Sequence, residues 1–345
     1  MRYDIGIFVG RFQPFHSAHF KELQRTLSLA EKVLVIIGSH RSAKTPRDPF
    51  STDEREQMIR SCLSEQENSM VYFAFARDYI YNNTQWFSDV TRLVENFVNE
   101  QNLDRKASLC LTGCNKDESQ SYIASFPDNW TREIIKSPQR NVHSTDIREQ
   151  LFSGTTPQKI KNIPAGVVHF LSDYITTQNF KLIQSEHQFY KNYKKAFDDL
   201  PYPPVFVTTD AVVIKNGHIL VVERKSNPGK GMLALPGGHL DLNKPILASC
   251  IKELKEETKI EVNKDYLKSI ASHEKVFDAP ERSLRGRTIT HGYCFKLPDG
   301  GKLPNVNAGD DAAKAFWMPI MEAYERCDEF FEDHIHIINY YTRRF

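Results

Sequence analysis

Two stretches of this 345-residue chain combine residue types that handle phosphate. The first is Gly10-Arg11-Phe12-Gln13-Pro14-Phe15-His16-Ser17-Ala18-His19. Arg11, His16 and His19 bring donors to what reads as the start of a helix, where backbone N–H groups and the positive dipole end already favour an anion. The two imidazoles, three residues apart, share a face once the helix has begun. A helix cap or a core histidine would leave the same His-x-x-His trace. The second stretch is Leu235-Pro236-Gly237-Gly238, followed by a helical pattern over 246–260 that gathers Glu253, Glu256 and Glu257 on one face. Carboxylates after a Gly-Gly turn offer hard oxygen ligands to a divalent cation beside a backbone that admits a diphosphate. Lys252, Lys255 and Lys259 are interleaved with them, as on an ordinary solvated helix.

The elements that must position these groups follow from hydropathy. Residues 5–9 predict a strand, Phe20, Leu23, Leu27 and Ala30 a helical stripe, and 33–37 an unbroken apolar strand ending at Gly38-Ser39. This β-α-β opening predicts an α/β fold with a Rossmann-like doubly wound parallel sheet and ligands at the strands' C-terminal ends. Further strands are expected at 71–76 and 107–112, the latter running into Gly113-Cys114-Asn115-Lys116-Asp117. Residues 142–148 predict a helix start with Ser144 or Thr145 as cap. Pro201, Pro203 and Pro204 mark a boundary near residue 200. From Val205 the texture changes to short strands at 205–209, 211–215 and 219–223, with a hairpin at Asn216-Gly217. The expected organisation is a first domain over 1–180, a helical linker over 181–204 and an α+β domain over 205–345. Glu332-Asp333-His334 predicts a capped C-terminal helix, and His334 is given no catalytic role.

Forty-five basic residues against 44 acidic ones leave a formal charge of +1, without the basic excess that non-specific nucleic-acid binding requires. Six cysteines without metal-ligand spacing suit a reducing, cytoplasmic setting. No apolar run approaches the roughly 18 residues that span a bilayer, and no targeting segment is expected. Oligomer formation is left open.

The motifs resemble known families. His16-Ser17-Ala18-His19 resembles the HxGH signature of the nucleotidyltransferase superfamily, with Ala18 where Gly is usual, and Ser144-Thr145-Asp146-Ile147-Arg148 resembles its second signature, which holds ATP phosphates. The stretch 47–55 is similar to the Pro-Phe-Thr-x-x-Glu-Arg element of archaeal-type nicotinamide mononucleotide (NMN) adenylyltransferases. That likeness implies Arg11, His16, His19 and Arg148 as catalytic residues and Gly10, Lys44, Arg47, Ser144, Thr145 and Arg148 around ATP. Asn83 and Trp86 resemble the Asn-x-x-Trp that binds the nicotinamide nucleotide, the indole stacking on the cationic ring; Lys116 and Asp117 are assigned with them. Gly238, Glu253, Leu254, Glu256, Glu257 and Ile260 resemble a Nudix box in which Lys244, Lys252 and Lys259 replace Glu, Arg and Gly. The likeness implies Glu253 and Glu257 as catalytic residues, Glu253, Glu256 and Glu257 as metal ligands, and Gly237, Gly238, Arg282 and Arg287 as contacts to ADP-ribose. The chain as a whole is similar to the bifunctional bacterial family that fuses an NMN adenylyltransferase to a Nudix ADP-ribose pyrophosphatase. This implies Mg²⁺ or Mn²⁺ in both domains and ATP, NMN and ADP-ribose as ligands. Two alternatives stand beside it: a different acceptor phosphate for the first domain, or a second domain that senses ADP-ribose without cutting it.

Overall fold

The structure, a computed structural model, describes residues 2–103, 107–114, 125–135, 142–309 and 311–343. It divides into two compact units, Met1–Gln184 and Ser185–Phe345. The division falls inside one helix, Gln178–Lys195, ahead of the prolines near residue 200. Phe180 and Ile183 of that helix join the first unit's core, while Tyr190 is buried in the second unit. No helix among the described residues is long and apolar enough to cross a membrane.

The first unit is built on five strands, β1 (Tyr3–Gly10), β2 (Ala30–Ile37), β3 (Val71–Phe75), β4 (Leu109–Cys114) and β5 (Trp130–Ile135). They pair in parallel in the order β3-β2-β1-β4-β5. Every side chain from Val33 to Ile37 is at most 1% exposed, as a strand covered on both faces requires. Helix α1 (Ser17–Leu29), α2 (Thr52–Arg60) and α5 (Ser144–Phe152), with Val167 and Leu171, cover one face; α4 (Asn83–Glu100), through Val90, Val94 and Phe97, covers the other. Ala30, expected on the helical stripe, instead opens β2. The strand order reverses between β1 and β4, which puts the ligand crevice of such a sheet at the C-terminal end of β1.

The second unit has a mixed sheet in the order β10-β11-β6-β7-β12. Its strands are β6 (Val205–Lys215), β7 (His218–Arg224), β10 (Ala271–Phe277), β11 (Arg287–Lys296) and β12 (Ala312–Pro319), with the short β8 (Leu233–Ala234) on β7 and β9 (Gly237–His239) on β6. The expected strands at 205–209 and 211–215 are one continuous strand. Asn216 and Gly217 both have positive φ, the turn geometry that matches strand twist. Helix α8 (Ile246–Thr258) packs Cys250, Ile251 and Leu254 onto Ala211, Val213 and Leu220, so its acidic residues are displayed away from this core.

Candidate nucleotide sites

In the first unit the chain turns back on itself directly after β1. A Cβ at Gly10 would lie 2.6 Å from the ring of Phe12, which itself takes a left-handed φ of 54°. The buried Gln13 amide then pairs with the backbone of Phe50, donating to its carbonyl at 2.9 Å and accepting from its N–H at 3.0 Å. Two loops are thereby fastened together at the C-terminal ends of β1 and β2. His16 caps α1, its Nδ1 accepting from the His19 N–H at 3.3 Å, so the neutral tautomer carries its proton on Nε2. The His16 and His19 rings stack with centroids 3.5 Å apart and planes 12° apart. The Ser17 N–H donates to the Asn162 carbonyl at 2.9 Å. Two first-turn amides thus have protein partners, which shifts anion recognition towards side chains.

Those side chains gather around Asp48. Arg11 lies 4.0 Å and Arg47 3.9 Å from its carboxylate, and Arg148 feels Asp48, Arg11 and Arg47 together. Arg148 donates to the carbonyls of Gln13 at 2.6 Å and Pro46 at 3.1 Å and to Thr145 Oγ1 at 3.2 Å; burial lowers its pKa to about 10. These bonds leave donors of its five-donor fork for a ligand. Ser144 does not cap its helix: the N-cap is His143, and Ser144 Oγ donates to the Pro14 carbonyl at 3.2 Å. Lys44 is held by both oxygens of Glu54, at 2.9 and 3.0 Å, while Glu54 closes the capping box of α2. Sequence reasoning gave Arg55 no role of its own. It is 1% exposed and donates to the carbonyls of Arg11 at 2.8 Å, Gly38 at 2.6 Å and Ser39 at 3.1 Å, tying the ends of β1 and β2. Its place in the 47–55 motif was the available signal.

Asn83 opens α4 and is exposed. Trp86, one turn on, is half-buried against Phe87 and Phe126, at centroid distances of 5.1 and 5.8 Å. Lys116 and Asp117 lie outside the described residues.

In the second unit both glycines of the Gly-Gly turn are required by close approach. A Cβ at Gly237 would lie 2.1 Å from the Thr209 carbonyl oxygen, and one at Gly238 would lie 2.6 Å from Glu253 Oε2. Gly237 N–H donates to Glu257 Oε2 at 3.0 Å. Burial, with Glu253 and Asp210 nearby, raises the Glu257 pKa to about 8; burial likewise lifts buried Asp210 to about 7. Lys252, at the position of the Nudix Arg, has Nζ 3.4 Å from Asp241, 3.6 Å from Glu256 and 3.9 Å from Glu253. Lys244 pairs with Asp241 at 2.5 Å, holding that carboxyl down at about 2. Lys259 ends α8 with a left-handed φ of 47°, the conformation for which glycine is favoured. Among the described residues, no three His, Cys, Asp or Glu side chains converge as a metal cluster. Glu253 and Glu257 reach the Gly-Gly turn, whereas Glu256 turns to Lys252.

Gly237, Gly238, Asp210 and Glu257 open into a cavity of about 270 Å³, whose walls include Arg224, Arg282 and Arg285. The Arg282 guanidinium, expected on ADP-ribose, is gripped by Asp333 at 2.6 and 2.9 Å and donates to Thr290 Oγ1 at 2.7 Å, with both charged side chains 1% exposed. Asp333 is the N-cap of the C-terminal helix yet makes no capping bond; its carboxylate is turned to Arg282. Arg287 pairs with Asp278 at 3.7 Å and does not line the cavity. Arg224 and Arg285, which sequence reasoning did not assign to the site, do. His334 Nδ1 accepts from the Leu235 N–H at 2.9 Å, and burial lowers its pKa to about 3, so it is a neutral support for the Gly-Gly turn.

Comparison with known proteins places both units. The NUDIX domain family model matches residues 205–341, and the cytidylyltransferase-like model matches residues 7–150. A bifunctional NMN adenylyltransferase/ADP ribose pyrophosphatase from Francisella tularensis, solved in complex with AMP and a Mn ion, is 34% identical, with 99% of each chain covered and a TM-score of 0.91. The nicotinamide/nicotinic acid mononucleotide adenylyltransferase of Acinetobacter baylyi is 28% identical over 187 residues, 54% of this chain and 95% of that protein. An ADP-ribose pyrophosphatase of Methanocaldococcus jannaschii is 34% identical over 109 residues, 32% of this chain and 59% of that protein. With near-complete mutual coverage across both units, the chain belongs to the family of bifunctional NMN adenylyltransferase/ADP-ribose pyrophosphatases.

Proposed function

We propose that the first unit transfers the adenylyl group of ATP to the phosphate of NMN, giving NAD and pyrophosphate, and that the second hydrolyses ADP-ribose to AMP and ribose 5-phosphate. The observation that carries the first reading is the gathering of Arg11, Arg47 and Arg148 around Asp48 at the strand end that also holds the His16–His19 stack. Joining two phosphates requires neutralisation and in-line placement rather than a protein nucleophile. Arg47 and Arg148 hold the ATP phosphates, and the imidazoles and Arg11 steady the charge that grows on the reacting phosphorus oxygens. Gly10, Lys44, Ser144 and Thr145 shape the floor of that site, largely by fixing its arginines and loops. Asn83 and Trp86, with Lys116 and Asp117, serve the mononucleotide, the indole stacking on the pyridinium.

In the second unit, Glu253, Glu256 and Glu257 suit a divalent cation, Mg²⁺ or Mn²⁺. Their fit rests on the donor chemistry: Glu257 is buried beside Glu253 and Asp210 and holds its proton to about 8, an accumulation of acid that a cation relieves. The cation supplies charge for the diphosphate and an acidified water. Gly237 and Gly238 let the backbone approach the diphosphate, and Arg224 and Arg285 neutralise it. In the first unit a divalent cation, if bound, would be held by the ATP phosphates and would supply charge neutralisation beside Arg47 and Arg148.

Chromatography of the products tests both readings. Wild type should convert ATP and NMN to NAD, and ADP-ribose to AMP and ribose 5-phosphate; Glu257→Gln should lose only the second conversion. ADP-ribose left intact by the wild type would overturn the hydrolase reading, and nicotinate or pantetheine phosphates accepted in place of NMN would overturn the acceptor assignment.

A further inference from the structure

One wall of the second unit's cavity is aromatic, made by Phe189 and Tyr193. Glu186, Phe189, Tyr190 and Tyr193 of the helix Gln178–Lys195 fall at i, i+3, i+4 and i+7, a single face. Two of the four are anchors. Glu186 accepts from the Gly229 N–H at 2.8 Å and is hydrogen-bonded by Tyr190, which is 6% exposed. They fix the helix to the loop after β7, where Arg224 Nε also donates to the Pro228 carbonyl at 2.8 Å. The other two are displayed. The rings of Phe189 and Tyr193 lie 6.1 Å apart with planes 25° apart, both are half-buried, and both line the cavity that holds Gly237, Gly238 and Glu257. Tyr193 is backed by Phe206 at 5.9 Å, and Phe206 meets His239 edge-on at 6.0 Å. On another side of the cavity Arg224 lies over the Phe331 ring at 4.2 Å, with Arg285 beside it.

A half-covered aromatic wall, a pair of arginines and carboxylates at a Gly-Gly turn match, in order, a π-faced base, a phosphate and the diphosphate bond to be cut. We propose that Phe189 and Tyr193 form the base-binding platform of this site and take the purine of the ADP-ribose substrate. The platform lies ahead of residues 205–341, the span of the NUDIX model, so the base is read by a helix that precedes that domain, while the domain itself supplies the diphosphate chemistry. The proposal rests on the hydrolase reading of the second unit. Its physical basis is that a base stacks on an aromatic face irrespective of hydrogen-bond readout.

The test is steady-state kinetics of the full chain carrying Phe189→Leu, Tyr193→Leu or Tyr193→Phe. Each preparation is also compared with wild type by circular dichroism and by the heat-inactivation midpoint of the second unit, as a check that it has folded. With ADP-ribose, each Leu variant should raise KM by about tenfold, the loss expected for one base–aromatic stack, with kcat little changed. Tyr193→Phe should behave as wild type. With the base-free diphosphate of two ribose 5-phosphates, the Leu variants should match wild type. Leu variants with wild-type KM for ADP-ribose, or with an equal loss on the base-free compound, would overturn the platform. Should the wild type bind ADP-ribose without cleaving it, the hydrolase reading fails and the same variants decide the platform by calorimetric Kd; absence of binding overturns both.

Discussion

The Arg282–Asp333 pair sets a structural role against the ligand contact that the sequence suggested. Its two short bonds, with both side chains 1% exposed, mean that removing one partner leaves an uncompensated charge in the interior. Such a loss costs about 3–5 kcal/mol, whereas replacing both partners by apolar residues of similar volume is often neutral. For a unit of this size about 1 kcal/mol moves the midpoint by about 2–4 °C, so Arg282→Met or Asp333→Asn should lower the second unit's inactivation midpoint by roughly 6–20 °C. The Arg282→Met/Asp333→Leu double variant should recover much of that. The assay is residual activity after a graded heat challenge of the full chain, with ADP-ribose hydrolysis and adenylyl transfer measured from the same tube. Only the first should fall early, because Arg282 and Asp333 both belong to the second unit. A single variant that keeps the wild-type midpoint but raises KM for ADP-ribose would refute the reasoning and return Arg282 to the ligand.

His16→Ala should cut NAD formation by far more than it weakens ATP binding, measured by turnover beside calorimetry; parallel losses in both would assign His16 to ground-state binding only. Lys259→Gly should stabilise the second unit by about 0.5–1 kcal/mol, because Lys259 holds a left-handed φ of 47° that glycine adopts without a Cβ penalty. His334 has its folded pKa pushed down to about 3. Below pH 6.5 the unfolded chain therefore binds the proton that the folded one refuses, and stability falls with pH, by about 2 kcal/mol at pH 5. Inactivation midpoints at pH 7 and 5 should converge in His334→Asn relative to wild type, and identical pH slopes would remove His334 as the cause. Lys252→Arg should raise kcat/KM for ADP-ribose, since a planar fork grips carboxylates better than an ammonium 3.4–3.9 Å from three of them.

The elements were legible because their causes are local. The run 33–37 announces a strand covered on both faces, Asn216-Gly217 a hairpin, and Leu235-Pro236-Gly237-Gly238 a turn that leads into an acidic helix. Element ends were less so, since they depend on partners that the local pattern does not name. Asp333 caps nothing because Arg282 claims its carboxylate, and Ser144 turns from its own helix to Pro14.

Residue type and spacing, with the family resemblance they carry, pointed to two candidate nucleotide-handling stretches, one on each side of residue 200, and named candidate histidines, arginines and glutamates for each. Those properties are written in short stretches of chain, where strand, turn and helix start are fixed by nearest neighbours. Only the tertiary structure decided which of the charged side chains line a cavity and which hold the frame. A guanidinium reads the same in a sequence whether it ends on a carbonyl, as Arg55 does, on a buried carboxylate, as Arg282 does, or in a cavity wall, as Arg285 does. The difference is set by groups 16 to 51 residues away, brought together by packing, and burial then fixes the outcome because an unpaired charge in the interior is not tolerated.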